Sequence, residues 1–278
     1  MPAFAVNFEN SRFLETSHVK AFANRLNWRC ELLLTRHQEV IRGKRVLDIA
    51  SHDGRFSYAC LSLGAEHVVG IEGRQHLVEH AKENLLALGC APERFSFVHG
   101  DLFDHLPAIR AGTFDTILCF GFFYHTLRQC DLLREVKRLG ATHFVLDTDV
   151  RHPPYARLLR VAGNLHLLPL LPRYFQRGAY LQLLREDHTN DANTIDSGNV
   201  VAVPTESAIE MLLECHGFKW QRIAWLEENV ADWTNLDDYK KRRRASYIAV
   251  SMNAPSAGID KPASRQGTVR PAVVGASH

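Results

Sequence analysis

A chain of 278 residues, 46% of them hydrophobic, can bury a sizeable core and suits one large α/β domain, or one domain with an insertion and a tail. The formal net charge of +2 gives no global field of either sign, which argues against a general nucleic-acid or membrane-surface binder. No apolar run is long enough to span a bilayer, and the polar start MPAFAVNFENS is unlike a signal peptide.

Six cysteines (Cys30, Cys60, Cys90, Cys119, Cys130 and Cys215) stand singly without CxxC spacing. They read as reduced thiols, so the chain is expected to be cytoplasmic and free of disulfides. Fifteen histidines show neither HExxH nor a comparable ligand spacing, so no metal site is expected.

Residues 11–42 read as helical, with Gly43 where a helix should stop. RVLDIASHDGRFS, residues 45–57, then gives an apolar strand ending near Asp48 and Ala50, a tight turn of Ser51, His52, Asp53 and Gly54, and the start of an amphipathic helix. That is where an α/β sheet binds a nucleotide-like ligand. HVVGIEGR supplies a second strand ending on Glu72 and Gly73, placed so that the acid can take both ribose hydroxyls of an adenosine. Only Gly54 in the turn is glycine, which argues against the bare backbone that a pyrophosphate needs.

A helix follows at 74–88, and FSFVHGD forms a third strand ending at Asp101 and Leu102. The run FDTILCFGFFYHT is apolar enough for a strand buried on both faces, with Phe120, Tyr124 and His125 toward its crevice end. Leu127–Leu139 reads as a helix, and THFVLDTDV as a fifth strand ending in Asp147 and Asp149, with Arg151 and His152 just beyond. Strands alternating with helices at this spacing predict a doubly wound sheet.

From Arg151 the pattern breaks into leucine runs, four prolines and a polar loop, with no clean strand; such an insertion can cover the strand ends. Thr205 reads as the N-cap of a helix, followed by two final strands, KWQRIAWL and RRASYIAVSM, as an antiparallel hairpin around a long polar loop. The organisation expected is a helical cap at 1–43, a cofactor-binding half at 44–150, an insertion at 151–203, a last helix and hairpin at 204–252, and a disordered tail at 253–278.

The turn after Asp48 resembles motif I of class I S-adenosylmethionine-dependent methyltransferases, usually DxGxGxG, with Ala50 and His52 standing where two glycines belong. The resemblance implies a seven-stranded Rossmann-like sheet with an insertion after the fifth strand. It implies S-adenosylmethionine held by Asp48, Ala50, Ser51, His52, Gly54, Glu72, Gly73, Asp101, Leu102 and Phe120, with Asp101 at the adenine. Within that superfamily, GFFYH and NVVAVPT are similar to enzymes that build carboxymethyl groups on wobble uridines of transfer RNA. Those enzymes carry an arginine before the Asn-Val that helps hold a carboxylated cofactor. Gly198 stands there in this chain, which favours ordinary S-adenosylmethionine and a different substrate.

The activity expected is methyl transfer to a small-molecule acceptor, most readily at oxygen. His125 would be the general base, because imidazole titrates near neutrality. Tyr124, Asp149, Arg151 and His152 would meet the acceptor, although each has an ordinary packing or solvation role as its alternative. Tyr155, Tyr174, Phe175 and Tyr180 suit an apolar acceptor or a homodimer face. The run Lys240–Arg244 is the one basic cluster that could track the phosphates of an RNA, a solvated strand edge being the simpler reading. A nicotinamide-dependent oxidoreductase and a non-catalytic methyltransferase-like protein are the remaining alternatives.

Overall fold

The computed structural model describes residues 3–17, 19–152 and 179–252. The strands are β1 (Arg45–Ile49), β2 (His67–Glu72), β3 (Phe95–His99), β4 (Thr116–Phe120), β5 (His143–Asp149), β6 (Leu181–Arg185), β7 (Val200–Pro204), β8 (Phe218–Arg222) and β9 (Arg244–Ser251). Seven of them form one sheet in the order β3-β2-β1-β4-β5-β9-β8, parallel as far as β5 and antiparallel at β9 and β8. The doubly wound fold is therefore the one the sequence predicts. Strand order reverses beside β1, with β2 on one side and β4 on the other, and that reversal opens a crevice at their C-terminal ends.

Each buried strand sends alternate residues to opposite faces, which is why the strands read as continuous apolar runs. Val46, Val68, Leu118 and Val145 join one core with helices α1 (Ala23–Leu33), α2 (Arg55–Ser62) and α3 (Gln75–Ala87). Leu47, Ile49, Ile117, Cys119 and Phe144 join the other with α4 (Leu102–His105), α5 (Gln129–Leu139) and α6 (Glu206–Cys215). Thr205 caps α6 as expected, its hydroxyl accepting from the Ala208 N–H at 3.2 Å. All six cysteines are free thiols. Among the described residues no helix is long and apolar enough to cross a membrane, and no group of three His, Cys, Asp or Glu side chains could hold a metal ion.

Several sequence-based expectations are corrected. Residues 11–42 are not one helical run: a 3-10 turn at Arg12–Leu14 leads into a non-helical strap, then α1, then a 3-10 stretch at Thr35–Val40 kinked at His37. Polar side chains of the strap bond to the loop after β1, and Lys20 at φ +47° cannot continue a helix. The 151–203 region does contain strands. β6 and β7 pair antiparallel from Leu181↔Pro204 to Arg185↔Val200 as a separate two-stranded sheet. β6 is largely exposed on both faces, so its leucines carry no alternating pattern that would mark a strand.

The final hairpin is present, but β8 stops at Arg222, and the segment after it is not a polar loop. Ile223, Trp225, Val230 and Leu236 are buried, and Trp225 stacks on Tyr239 of α7 (Asp237–Lys240) at 3.6 Å between ring centroids. The basic run divides: Lys240–Arg243 are exposed, whereas Arg244 is buried as the first residue of β9. The expected tail and Tyr155, Tyr174 and Phe175 lie outside the described residues.

Candidate active site

The loop after β1 keeps the backbone of a glycine-rich turn with only one glycine in it. Ala50 (φ +52°), His52 (φ +53°) and Gly54 (φ +81°) all lie in the left-handed region. What separates them is space. A Cβ on Gly54 would meet Ala81 and Leu85 at 3.0 Å and Phe97 at 3.1 Å, so a side chain there would crowd its neighbours as well as strain the backbone. Gly54 thus packs the loop against α3 and β3 and does not line the cavity. A side chain in this region costs about 1–2 kcal/mol, and the extra chain entropy of glycine offsets part of that. Ala50→Gly is therefore expected to stabilise the fold by about 0.5–1 kcal/mol, read as a raised denaturation midpoint.

The His52 ring is turned toward the N-terminal strap. Its Nε2 lies 3.5 Å from Ser17 Oγ, and its Nδ1 lies 3.2 Å from Arg55 Nη2 and 3.4 Å from Asp53 Oδ1. Asp53 is fully buried and ion-paired to Arg55 at 2.7 Å, and it also accepts from Thr16 Oγ1 at 3.0 Å. Burial alone would raise the Asp53 carboxyl, but Arg55 and His52 beside it hold it well below the carboxylate range. This polar cluster anchors the strap across the loop, so that Val19 and Lys20 form part of the cavity wall.

The cavity measures about 710 Å³, a size ordinary for a small-molecule site. Of the residues expected at a cofactor, Asp48, Ala50, Ser51, His52, Glu72, Gly73, Asp101, Leu102 and Phe120 line it. Glu72 ends β2 with its carboxylate fixed between two backbone donors, His52 N–H at 2.9 Å and Arg74 N–H at 3.0 Å. Each oxygen keeps a lone pair for a further donor. Asp101 caps α4 by accepting from the Phe103 N–H through Oδ1 at 2.7 Å, leaving Oδ2 for a ligand. Asp48 is buried and accepts from Ser57 Oγ at 2.7 Å. Burial, with Glu72 nearby, pushes its carboxyl up to about 7.

At the other end, His125 stands in the turn after β4. Its Nδ1 lies 2.6 Å from Glu186 Oε2, at the end of β6. The same oxygen accepts from the Thr194 N–H at 3.0 Å. Burial opposes the Glu186 charge, but the His125 contact and the Thr194 N–H outweigh it and hold the carboxyl below its ordinary value. An ionised carboxylate only accepts, so Nδ1 carries the proton, and in the neutral ring it is Nε2 that presents a lone pair. The Tyr124 ring lies 3.9 Å from that of His125, and burial and Asp149 push its hydroxyl upward.

Asp149 and Arg151 line the same end, whereas His152 is exposed and is not part of the cavity wall. Behind them Asp147, fully buried, accepts from Arg29 Nη2 at 2.6 Å, Arg244 Nε at 2.8 Å, Ser246 Oγ at 2.8 Å and Tyr239 OH at 3.0 Å. Arg244 also donates to Asp149. Arg244 is thus fixed in the cavity wall by two carboxylates rather than free for phosphate.

Glu186, Arg29, Arg244 and Ile195 are wall residues that sequence reasoning missed. Nothing in REDHTND separates Glu186 from Asp187 beside it. Only the pairing of β6 with β7 brings it to a histidine 61 positions away. Asp147 did carry a signal, a carboxylate inside an otherwise apolar strand.

Residues 46–142 match a family described as a methyltransferase domain. The N-terminal domain of EvdMO1, crystallised with SAH and D-fucose, superposes with a TM-score of 0.53 at 16% identity, covering 78% of this chain and 79% of that one. Over residues 46–142 the chain thus matches a methyltransferase domain, and its fold is that of the superposed structure. A 23S rRNA (uracil(1939)-C(5))-methyltransferase of Shewanella sp. (strain ANA-3) is 43% identical over 60 residues, 22% of this chain and 13% of that protein. A tRNA U34 carboxymethyltransferase of Idiomarina loihiensis is 30% identical over 105 residues, 37% of this chain and 31% of that protein. The matches thus span less than a third of either relative.

The methyltransferase cavity fits the cofactor of this class, S-adenosylmethionine. Ser51 Oγ is buried beside Gly70 without a hydrogen-bond partner among the described residues, so of the loop's polar groups it is not one that faces the cavity. Glu72 and Asp101 retain acceptor capacity where a ribose and an adenine would need it.

Proposed function

We propose that this methyltransferase acts on a hydroxyl of a small-molecule acceptor, with His125 as general base. The observation that carries the reading is the 2.6 Å contact from His125 Nδ1 to Glu186, in the same cavity as Glu72 and Asp101. S-adenosylmethionine, when bound, supplies a sulfonium methyl group for in-line displacement. Glu72 would take the ribose hydroxyls, Asp101 the adenine amine, and Asp48 the cationic amine of the methionine part. His125 Nε2 would accept the hydroxyl proton as the oxygen attacks, and Glu186 would stabilise the imidazolium that results. Tyr124, Asp149 and Arg151 would orient the acceptor. The strap and the β6–β7 loop, residues 186–199, limit the access of water.

Calorimetric titration with S-adenosylhomocysteine tests the cofactor half. Binding is expected, reduced at least 100-fold by Glu72→Ala, because charge-assisted hydrogen bonds are worth about 1.5–3 kcal/mol each. With the Asp48 carboxyl at about 7, affinity should fall as pH drops below that value, since protonated Asp48 loses its attraction for the amine. Absence of binding, or an unaffected Glu72→Ala variant, overturns the assignment.

A screen of hydroxylated small molecules with labelled S-adenosylmethionine tests the acceptor half. Transfer RNA belongs in the same screen, because two of the relatives are named for uridine or uracil chemistry on RNA and Lys240–Arg243 are exposed. Label in transfer RNA and in no small molecule would replace the present reading with that one.

A further inference from the structure

The β6–β7 loop reaches both ends of the cavity. At one end, Ile195 Cδ1 sits where a Cβ on Gly73 would stand, 2.5 Å from that position, directly after the ribose acid Glu72. Ile195 is 40% exposed although it lies in the cavity wall, so it presents an apolar surface with nothing over it. Gly73 supplies no side chain on that wall, and the Ile195 side chain fills the space that a Cβ there would take. Ile71, Leu102 and Phe103 are further apolar residues of the wall near Glu72 and Asp101.

Arg74, the residue after Gly73, pins the same loop: it pairs with Asp191 at 3.1 Å and donates to the carbonyls of His188 and Asn190 at 3.1 and 2.8 Å. His76 also reaches Asp191, at 3.0 Å. At the other end of the loop, one residue before Ile195, the Thr194 N–H donates to Glu186, and Glu186 holds His125.

We propose that Ile195 forms the apolar face against which the adenine ring packs, and that its loop, through Thr194 and Glu186, couples occupancy of the adenosine site to the orientation of His125. The proposal rests on the cofactor and base assignments above. A flat ring entering beside Gly73 must press on Ile195, and the next peptide N–H toward the N-terminus is the one that fixes the Glu186 carboxylate. Glu186 is then a positioning residue, acting through His125, and Ile195 a binding residue contributed from outside the main sheet.

The test uses the full chain, S-adenosylhomocysteine as probe, and two readouts that need no acceptor. Ile195→Ala is expected to weaken binding roughly tenfold, the loss of one buried aliphatic side chain, while Met211→Ala on the exposed face of α6 leaves it unchanged. In nitrogen-15 spectra, the hydrogen-bonded Nδ1–H proton of His125 should shift on saturation in the wild type. It should stay put in saturated Ile195→Ala, should be lost in Glu186→Gln, and should return in Glu186→Asp. Unaltered affinity in Ile195→Ala, or a His125 signal indifferent to saturation, overturns the proposal while leaving the methyltransferase reading intact. Failure of the wild type to bind the probe at all overturns both.

Discussion

Alanine at position 125 is expected to lower turnover on the acceptor by about 10²–10⁴-fold, far more than it changes S-adenosylhomocysteine affinity. The range is that of a positioned general base. Glu186→Gln should give a large part of the same loss, since an amide can turn its NH₂ toward Nδ1 and reverse the tautomer, leaving Nε2 protonated and unable to accept. Steady-state kinetics across pH 6–9 check both variants. Full turnover in His125→Ala would mean that the acceptor atom needs no base, as for an already neutral amine, and would remove oxygen as the site of transfer.

Asp147→Ala is expected to be the most damaging change to the fold, at about 3–5 kcal/mol. The carboxylate is 0% exposed and takes hydrogen bonds from Arg29, Arg244, Tyr239 and Ser246. Its removal leaves two buried guanidinium groups facing each other without the charge between them, although Arg244 keeps Asp149. Burial alone would raise the Asp147 carboxyl, but Arg244 and Arg29 outweigh it and lower the group to about 2. A folded pKa below the unfolded value of about 3.9 means that the stabilisation is complete above pH 4 and is lost as pH falls through about 2.

Urea unfolding at pH 7, 4 and 2.5 checks this. Between pH 7 and 2.5 the wild type should lose roughly 1.5–2 kcal/mol through Asp147, and Asp147→Ala should lack that component. Equal stabilities of the two proteins at pH 7 would show that the cluster contributes nothing net. Because Arg244 lines the cavity, the variant should also bind S-adenosylhomocysteine more weakly at temperatures where it remains folded.

The meeting of Asp48, Glu72 and Asp101 in one cavity was legible in the chain because it is local. The three acids lie at or just beyond the C-terminal ends of their strands, and strands that alternate with helices bring those ends together whatever the details of the packing. The glycine-rich turn was legible only in part. Its backbone follows the positive-φ pattern at Ala50 and His52, yet the residue types alone suggested departures, since a strained left-handed residue leaves no mark in sequence other than the glycine it lacks.

By itself, then, the sequence determined the doubly wound sheet, the acids at the ends of its strands and the histidine after β4, because apolar periodicity and turn chemistry act over a few residues. Tertiary structure alone decided the partners that lie far apart in the chain. Glu186 reaches His125 only through a two-stranded sheet whose first strand is exposed and unpatterned. Arg244, read within a basic run, is instead buried between Asp147 and Asp149, because antiparallel pairing places it opposite Asp149. Ile195 meets Gly73 by a close approach that a single missing Cβ permits. Burial and ion pairing depend on which distant segments meet, and that information is carried by the whole packed core rather than by any stretch of residues.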